Sequence, residues 1–144
     1  GAVAVESAPV TQVKPETFDA GSIAALKDPR SPLSKRSIYF DYDSYVVKDE
    51  FQSLLTAHGK FLSANRKMKM LIQGNADERG SREYNLALGQ KRAEAVKKAL
   101  ALLGAREDQI EAVSLGEEKP ACTDSGEECW AKNRRGEMLY TGEF

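Results

Sequence analysis

The sequence is poor in the residues that usually mark a metal or redox centre. Its 144 residues hold one histidine, two cysteines and one tryptophan. One His and two Cys fall short of the ligand sets of structural zinc, so no metal is expected. Cys122 and Cys129 stand too far apart for a redox CxxC pair. They either close a small loop, a bridge worth about 2–2.5 kcal/mol by loop entropy, or remain two thiols. An excess of one charge is also missing: 21 Lys and Arg face 22 Asp and Glu, a net charge of −1. Such a chain is ill suited to neutralising a phosphate backbone, and nucleic acid is not expected as a partner. No apolar run approaches the roughly 18 residues of a membrane span. No basic start leads into an apolar stretch and a cleavage site, and Gly1 in place of an initiator Met suggests a processed or trimmed chain. What remains, 41% hydrophobic and 30% charged residues, suits one globular domain of mixed architecture.

Residues 1–35 differ from the rest. Positions 1–18 are rich in Val, Ala, Pro and Thr without a sustained period. Asp28-Pro29 and Ser31-Pro32 argue against a long helix. This part reads as a flexible N-terminal tether with a short helical turn near 22–27, and 36–144 as the folded domain. From Ser37 the periodicities sharpen. Ile38, Tyr39 and Phe40 form a short β-type run. Phe51, Leu54, Leu55, His58 and Leu62 line one face of an amphipathic helix. Met68, Met70 and Ile72 alternate with Lys67, Lys69 and Leu71, as in a half-buried strand. Residues 74–80 read as a polar loop and 81–103 as a long helix stopped by Gly104. A strand at 110–115, a short helix at 127–133 and a last strand at 137–141 follow. The order β-α-β-α-β-α-β predicts an α/β fold, an α+β sandwich with helices packed on a four-stranded sheet. Strand order is not legible.

The long helix carries an anomaly. Val96, Ala99 and Leu103 form an apolar stripe, and the same line run backwards meets Arg92, Gly89 and Asn85. An arginine on a core-facing line needs an anionic partner, because an unpaired buried charge is costly. Asp77, in the preceding loop, is the nearest in sequence. Spacing alone leaves two arrangements open. In one, Asp77 and Arg92 form an internal salt bridge that fixes the loop to the helix. In the other they stand apart and hold a zwitterion. The planar fork of Arg92 then takes a carboxylate, Asp77 takes an ammonium, and Asn85 adds a neutral donor and acceptor. Each charge-assisted hydrogen bond would contribute about 1.5–3 kcal/mol.

The run A-D-E-R-G-S-R-E-Y-N-L-A-L-G-Q-K-R-A, from Ala76 to Ala93, resembles the signature of the OmpA-like peptidoglycan-binding domain family. Four segments more narrowly resemble the lipoprotein branch of that family, the peptidoglycan-associated lipoproteins (Pal). They are F-D-Y-D-S-Y-V-V-K from Phe40, G-N-A-D-E-R-G from Gly74, V-S-L-G-E-E-K-P from Val113 and N-R-R from Asn133. The likeness spans 28–140. It implies non-covalent binding of the meso-diaminopimelate residue of the peptidoglycan stem peptide, with Asp77 on the ammonium and Arg92 on the carboxylate. It implies main-chain and side-chain contacts from Asp41 and Tyr42, and contact or bracing by Arg134 and Arg135. It also implies the periplasmic face of the Gram-negative outer membrane, reached through an N-terminal lipid that this chain does not show. There the chain would serve the Tol-Pal system, with the propeller protein TolB competing for the same face. No cofactor is implied. A periplasmic setting favours oxidation of Cys122 with Cys129, although such a pair is not general in the branch. Ala76 and Gly89 depart from the broader family, which often has Thr and Ser there.

Other residues read as structural. His58 is expected in the core, Trp130 packed over the sheet, and the neighbouring Asp77 and Glu78 pointing apart. Gly136 is expected to weaken the start of the last strand. Two alternatives stay open: the OmpA-like domain of a porin- or stator-type envelope protein, and a peptidoglycan hydrolase. A hydrolase needs a carboxylate pair roughly 5–9.5 Å apart or a nucleophile with its base. The lone His has no partner motif, so no catalytic residue is assigned and no enzyme is expected. Alanine at Asp77 or Arg92 is expected to abolish co-sedimentation with diaminopimelate-type walls and leave the fold intact.

Overall fold

The chain divides into two units, Gly1–Ser34 and Lys35–Phe144, and a computed structural model describes residues 23–144. In the first unit a helical turn over 23–25 precedes a 3-10 turn, Pro32–Ser34. The helical turn expected near 22–27 is thus present from Ile23 onward. The tether expected over 1–35 lies, for 1–22, outside the described residues.

The second unit runs β1 (Ser37–Tyr39), α1 (Gln52–Ala64), β2 (Met70–Asn75), α2 (Arg82–Leu102), β3 (Ile110–Gly116), α3 (Glu127–Asn133) and β4 (Arg135–Tyr140). The alternation follows the periodicities of the sequence. The sheet has four strands in the order β1-β4-β2-β3. β2 is parallel to β3 and antiparallel to β4, which is antiparallel to β1. Parallel neighbours need a crossover, and α2 supplies it. α2 packs on β2, β3 and β4, with α1 beside it. Met70, Ile72, Met138 and Tyr140 of the sheet meet Leu55, Leu62, Val96 and Leu100 of the helices in a core without solvent.

Two details differ from expectation. β2 runs on through Gly74 and Asn75, which pair with Ser114 and Gly116 and so belong to the sheet rather than to a polar loop. Gly136 does not weaken β4. It pairs with Ile38 on one side and Gly74 on the other, and a Cβ there would stand 3.3 Å from Val96 Cγ2. A side chain at 136 would crowd Val96, which would have to give by a few tenths of an ångström.

Helix and sheet approach each other closely at a pair of glycines. A Cβ on Gly74 would lie 1.7 Å from Gly89 O, and one on Gly89 would lie 2.3 Å from Ser114 Oγ. This seats the polar half of α2 directly over the end of β2. Elsewhere, His58 is buried as expected. Its Nε2 donates to Lys35 O at 2.8 Å. A carbonyl only accepts, so Nδ1 must accept from Tyr140 Oη at 2.6 Å.

Candidate ligand site

The loop after β2 is fixed from both ends. Ala76 N–H donates to Gly116 O at 2.9 Å. Ser81 caps α2, its Oγ accepting from Tyr84 N–H at 3.0 Å. Asn85, one turn into α2, is buried. Its Nδ2 donates to Asp77 O at 3.2 Å, Arg79 O at 3.0 Å and Glu117 Oε1 at 2.7 Å. Asn85 therefore holds the loop main chain, a positioning role beyond the donor and acceptor expected of it.

Arg92 is fully buried. Nε donates to Ser44 O at 2.8 Å, Nη1 to Asn75 O at 2.8 Å and Nη2 to Asp41 O at 3.1 Å. It stitches the end of β2 to the 41–44 loop. A guanidinium carries five N–H donors, and three of them meet these carbonyls. Burial pulls its pKa down to about 10, while Asp77 pulls it back up and Arg134 pushes it further down. It stays charged at neutral pH. Removing the side chain would strand the three carbonyls, at about 1–3 kcal/mol for each that stays buried. Against the expectation that Arg92→Ala leaves the fold intact, these contacts predict that it would loosen the 41–44 loop.

Asp77 is 4% exposed. Its Oδ1 accepts from Arg79 N–H at 3.0 Å and Arg79 Nε at 3.2 Å, and its Oδ2 from Arg79 Nη2 at 2.8 Å. Arg134 Nη1 stands 3.6 Å from Oδ2. Burial raises the carboxyl pKa, but the Arg79 hydrogen bonds and the Arg134 charge outweigh it, and the group lies below its ordinary value. Among the described residues no ion pair joins Asp77 to Arg92. The two charges instead face one cavity of about 60 Å³, bordered also by Tyr42, Ala76, Arg79 and Asn85.

Asp41 offers its main-chain carbonyl to Arg92, while its carboxylate turns out to Lys48 Nζ at 3.1 Å. The Tyr42 ring lies on the Arg79 guanidinium, 4.1 Å from centroid to Cζ, and Trp130 covers the opposite side at 4.0 Å. Trp130 thus stacks on a cation rather than packing over the sheet. Its Nε1 donates to Glu78 Oε2 at 2.9 Å, so Glu78 points outward and Asp77 inward. Arg134 braces: Nε donates to Phe40 O at 2.8 Å, and its fork grips Glu127 at 3.0 and 2.7 Å. Arg135 holds Glu137, Asn133 O and Lys119 O and does not border the cavity. Cys122 and Cys129 are joined, with Cα atoms 5.4 Å apart. Asn133 secures the same loop: its Oδ1 accepts from Ala121 and Cys122 N–H at 2.7 and 3.0 Å, and its Nδ2 donates to Cys122 O at 2.8 Å.

Sequence reasoning missed Arg79 and Ser44. The signal for Arg79 was there: an Asp followed two residues on by Arg makes a local side-chain turn. The Ser44 contact is main-chain and leaves no trace in residue type.

A family model described as OmpA family matches residues 39–134. A peptidoglycan-associated lipoprotein of Pasteurella multocida is 45% identical over 104 residues, covering 72% of this chain and 69% of the relative. One of Haemophilus influenzae is 42% identical over 125 residues, covering 87% and 78%. The crystal structure of the peptidoglycan-associated lipoprotein from Burkholderia pseudomallei aligns with a TM-score of 0.80 at 57% identity. That alignment covers 81% of this chain and 99% of the other.

Proposed function

Because the chain belongs to the OmpA family, we propose that it anchors to peptidoglycan without covalent chemistry, gripping the meso-diaminopimelate residue of the stem peptide. Its named relatives are lipoproteins associated with peptidoglycan, and this chain, like them, is not an enzyme. One observation carries the finer reading. Asp77 and Arg92 are buried, opposite in charge and not joined, and they border the same cavity. The free end of diaminopimelate carries one ammonium and one carboxylate. Asp77 takes the first, and the two remaining N–H donors of Arg92 take the second.

The same reading places the chain at the periplasmic face of the outer membrane, with a lipid ahead of residues 1–35 and those residues as the tether. Attachment at two ends makes weak individual grips sufficient. Tyr42 and Tyr84 border the cavity and stay 61% and 52% exposed. An apolar rim of this kind suits a protein partner. A TolB-type propeller protein of the Tol-Pal system would compete there with the wall.

The test is sedimentation with walls carrying diaminopimelate or lysine at the crosslinking position. Wild type should pellet with the first and far less with the second, which lacks the distal carboxylate. Asp77→Asn should pellet with neither. Arg92→Lys, which keeps a charge but loses the fork, should bind weakly. Equal binding to both wall types, or wild-type binding by Asp77→Asn, would remove the reading.

A further inference from the structure

Asp77 holds a cation before any guest arrives. Both of its oxygens accept from the Arg79 guanidinium, at 3.2 and 2.8 Å. Tyr42 and Trp130 flank that guanidinium at 4.1 and 4.0 Å. A carboxylate floor with two facing aromatic walls is a complete cation site. On the premise of the wall-binding reading, we propose that Arg79 is a built-in competitor. It occupies the cation seat of the ligand site, a guest ammonium enters only by displacing it, and it thereby sets which guests are accepted.

Three features support this. The cavity beside Asp77 measures about 60 Å³ with Arg79 in place, far below the roughly 300–1,000 Å³ of a formed small-molecule site. Withdrawing the side chain opens it. The Arg79 main chain is held separately, its N–H by Asp77 Oδ1 at 3.0 Å and its carbonyl by Asn85 at 3.0 Å, so the side chain can leave without undoing the loop. It also has somewhere to go. Its side chain is 31% exposed, and Glu127 Oε1, on a side chain 67% exposed, stands 3.9 Å from Nη2.

The exchange has a consequence for specificity. A lone ammonium merely replaces one cation on Asp77 by another and gains little. An ammonium with a carboxylate on the same carbon also engages the spare donors of Arg92. Only the zwitterion moves the exchange forward. Arg79 raises the threshold for all guests and so turns a preference for two charges into a requirement.

Trp130 is the one tryptophan of the chain, so its emission reports the stacked guanidinium. The full chain is titrated with a soluble stem peptide ending in meso-diaminopimelate and with one ending in lysine. The diaminopimelate peptide should change the wild-type emission to saturation, and the lysine peptide should leave it unchanged. By calorimetry, Arg79→Ala should bind the diaminopimelate peptide about tenfold tighter and begin to bind the lysine peptide. Unchanged or weaker affinity in Arg79→Ala, or undiminished discrimination, would overturn the proposal. Arg79→Lys should fall between the two. Asp77→Asn separates the two ideas. Its retention of binding removes the pocket itself. Its loss of binding, beside an Arg79→Ala that binds like wild type, removes only the competitor.

Discussion

Two Asp-x-Arg turns share one geometry and differ in everything around it. In the first, Arg30 reaches Asp28 with its N–H at 2.9 Å, Nε at 3.2 Å and Nη2 at 3.2 Å. In the second, Arg79 reaches Asp77 with the same three groups at 3.0, 3.2 and 2.8 Å. The side chains of the first pair are 90% and 36% exposed, those of the second 31% and 4%. Water screens the first pair and leaves it little net strength. The second sits between aromatic rings, with a further arginine behind its carboxylate. A local motif thus fixes a shape, and burial decides whether the shape becomes a site.

That contrast can be broken or sharpened by measurement. The largest expected effect lies outside both turns and has to be separated first. Burial, aided by the Arg36 charge and opposed by the Lys35 carbonyl, lowers the His58 pKa to about 4. The unfolded histidine takes its proton near 6.5, the folded one only near 4. Stability is therefore full above pH 6.5 and falls as pH drops through about 4, by about 3 kcal/mol. Urea midpoints between pH 7 and 4 should show this slope in wild type and a flatter one in His58→Gln.

At pH 7, Asp77→Ala takes from Arg79 the carboxylate it hydrogen-bonds, while Arg134 keeps Glu127. It should cost about 2 kcal/mol, less than a fully buried pair because Arg79 can turn to water. The same substitution at Asp28 should leave the urea midpoint in place. Equal shifts would mean that burial does not distinguish the turns. Reducing the Cys122–Cys129 bridge should cost about 2–2.5 kcal/mol of chain entropy. It should leave Trp130 emission unaltered, because Asn133 still holds the loop with three hydrogen bonds. Reduction in an Asn133→Ala background should then move it. Arg30→Ala, the smallest case, should change neither midpoint nor wall binding.

Much of this was legible in the sequence, for identifiable reasons. The alternation of strands and helices follows from local periodicity, which each segment carries alone. Strand order depends on pairing between distant segments and leaves no local mark, so β4 between β1 and β2 had to be seen. Arg92 stood out because a charge lay on an apolar line. Its partners did not, since Ser44 and Asp41 are 48 and 51 residues away and present only carbonyls. The direct Asp77–Arg92 bridge, one of two arrangements that spacing allowed, is not formed because Arg79 lies nearer to Asp77 and satisfies both its oxygens. For Arg79 only the local Asp-x-Arg spacing was legible, not the rings of Tyr42 and Trp130 against it.

The bare contact between Gly74 and Gly89 acts as a gauge block. The strand that leads to Asp77 and the helix that bears Arg92 rest on each other backbone to backbone at these two glycines, with only the Ser114 hydroxyl beside them. A single methyl at position 89, placed 2.7 Å from Gly74 O, would act as a shim and lever the two charges apart. The tolerance of recognition is thus machined into a spot that no guest ever touches.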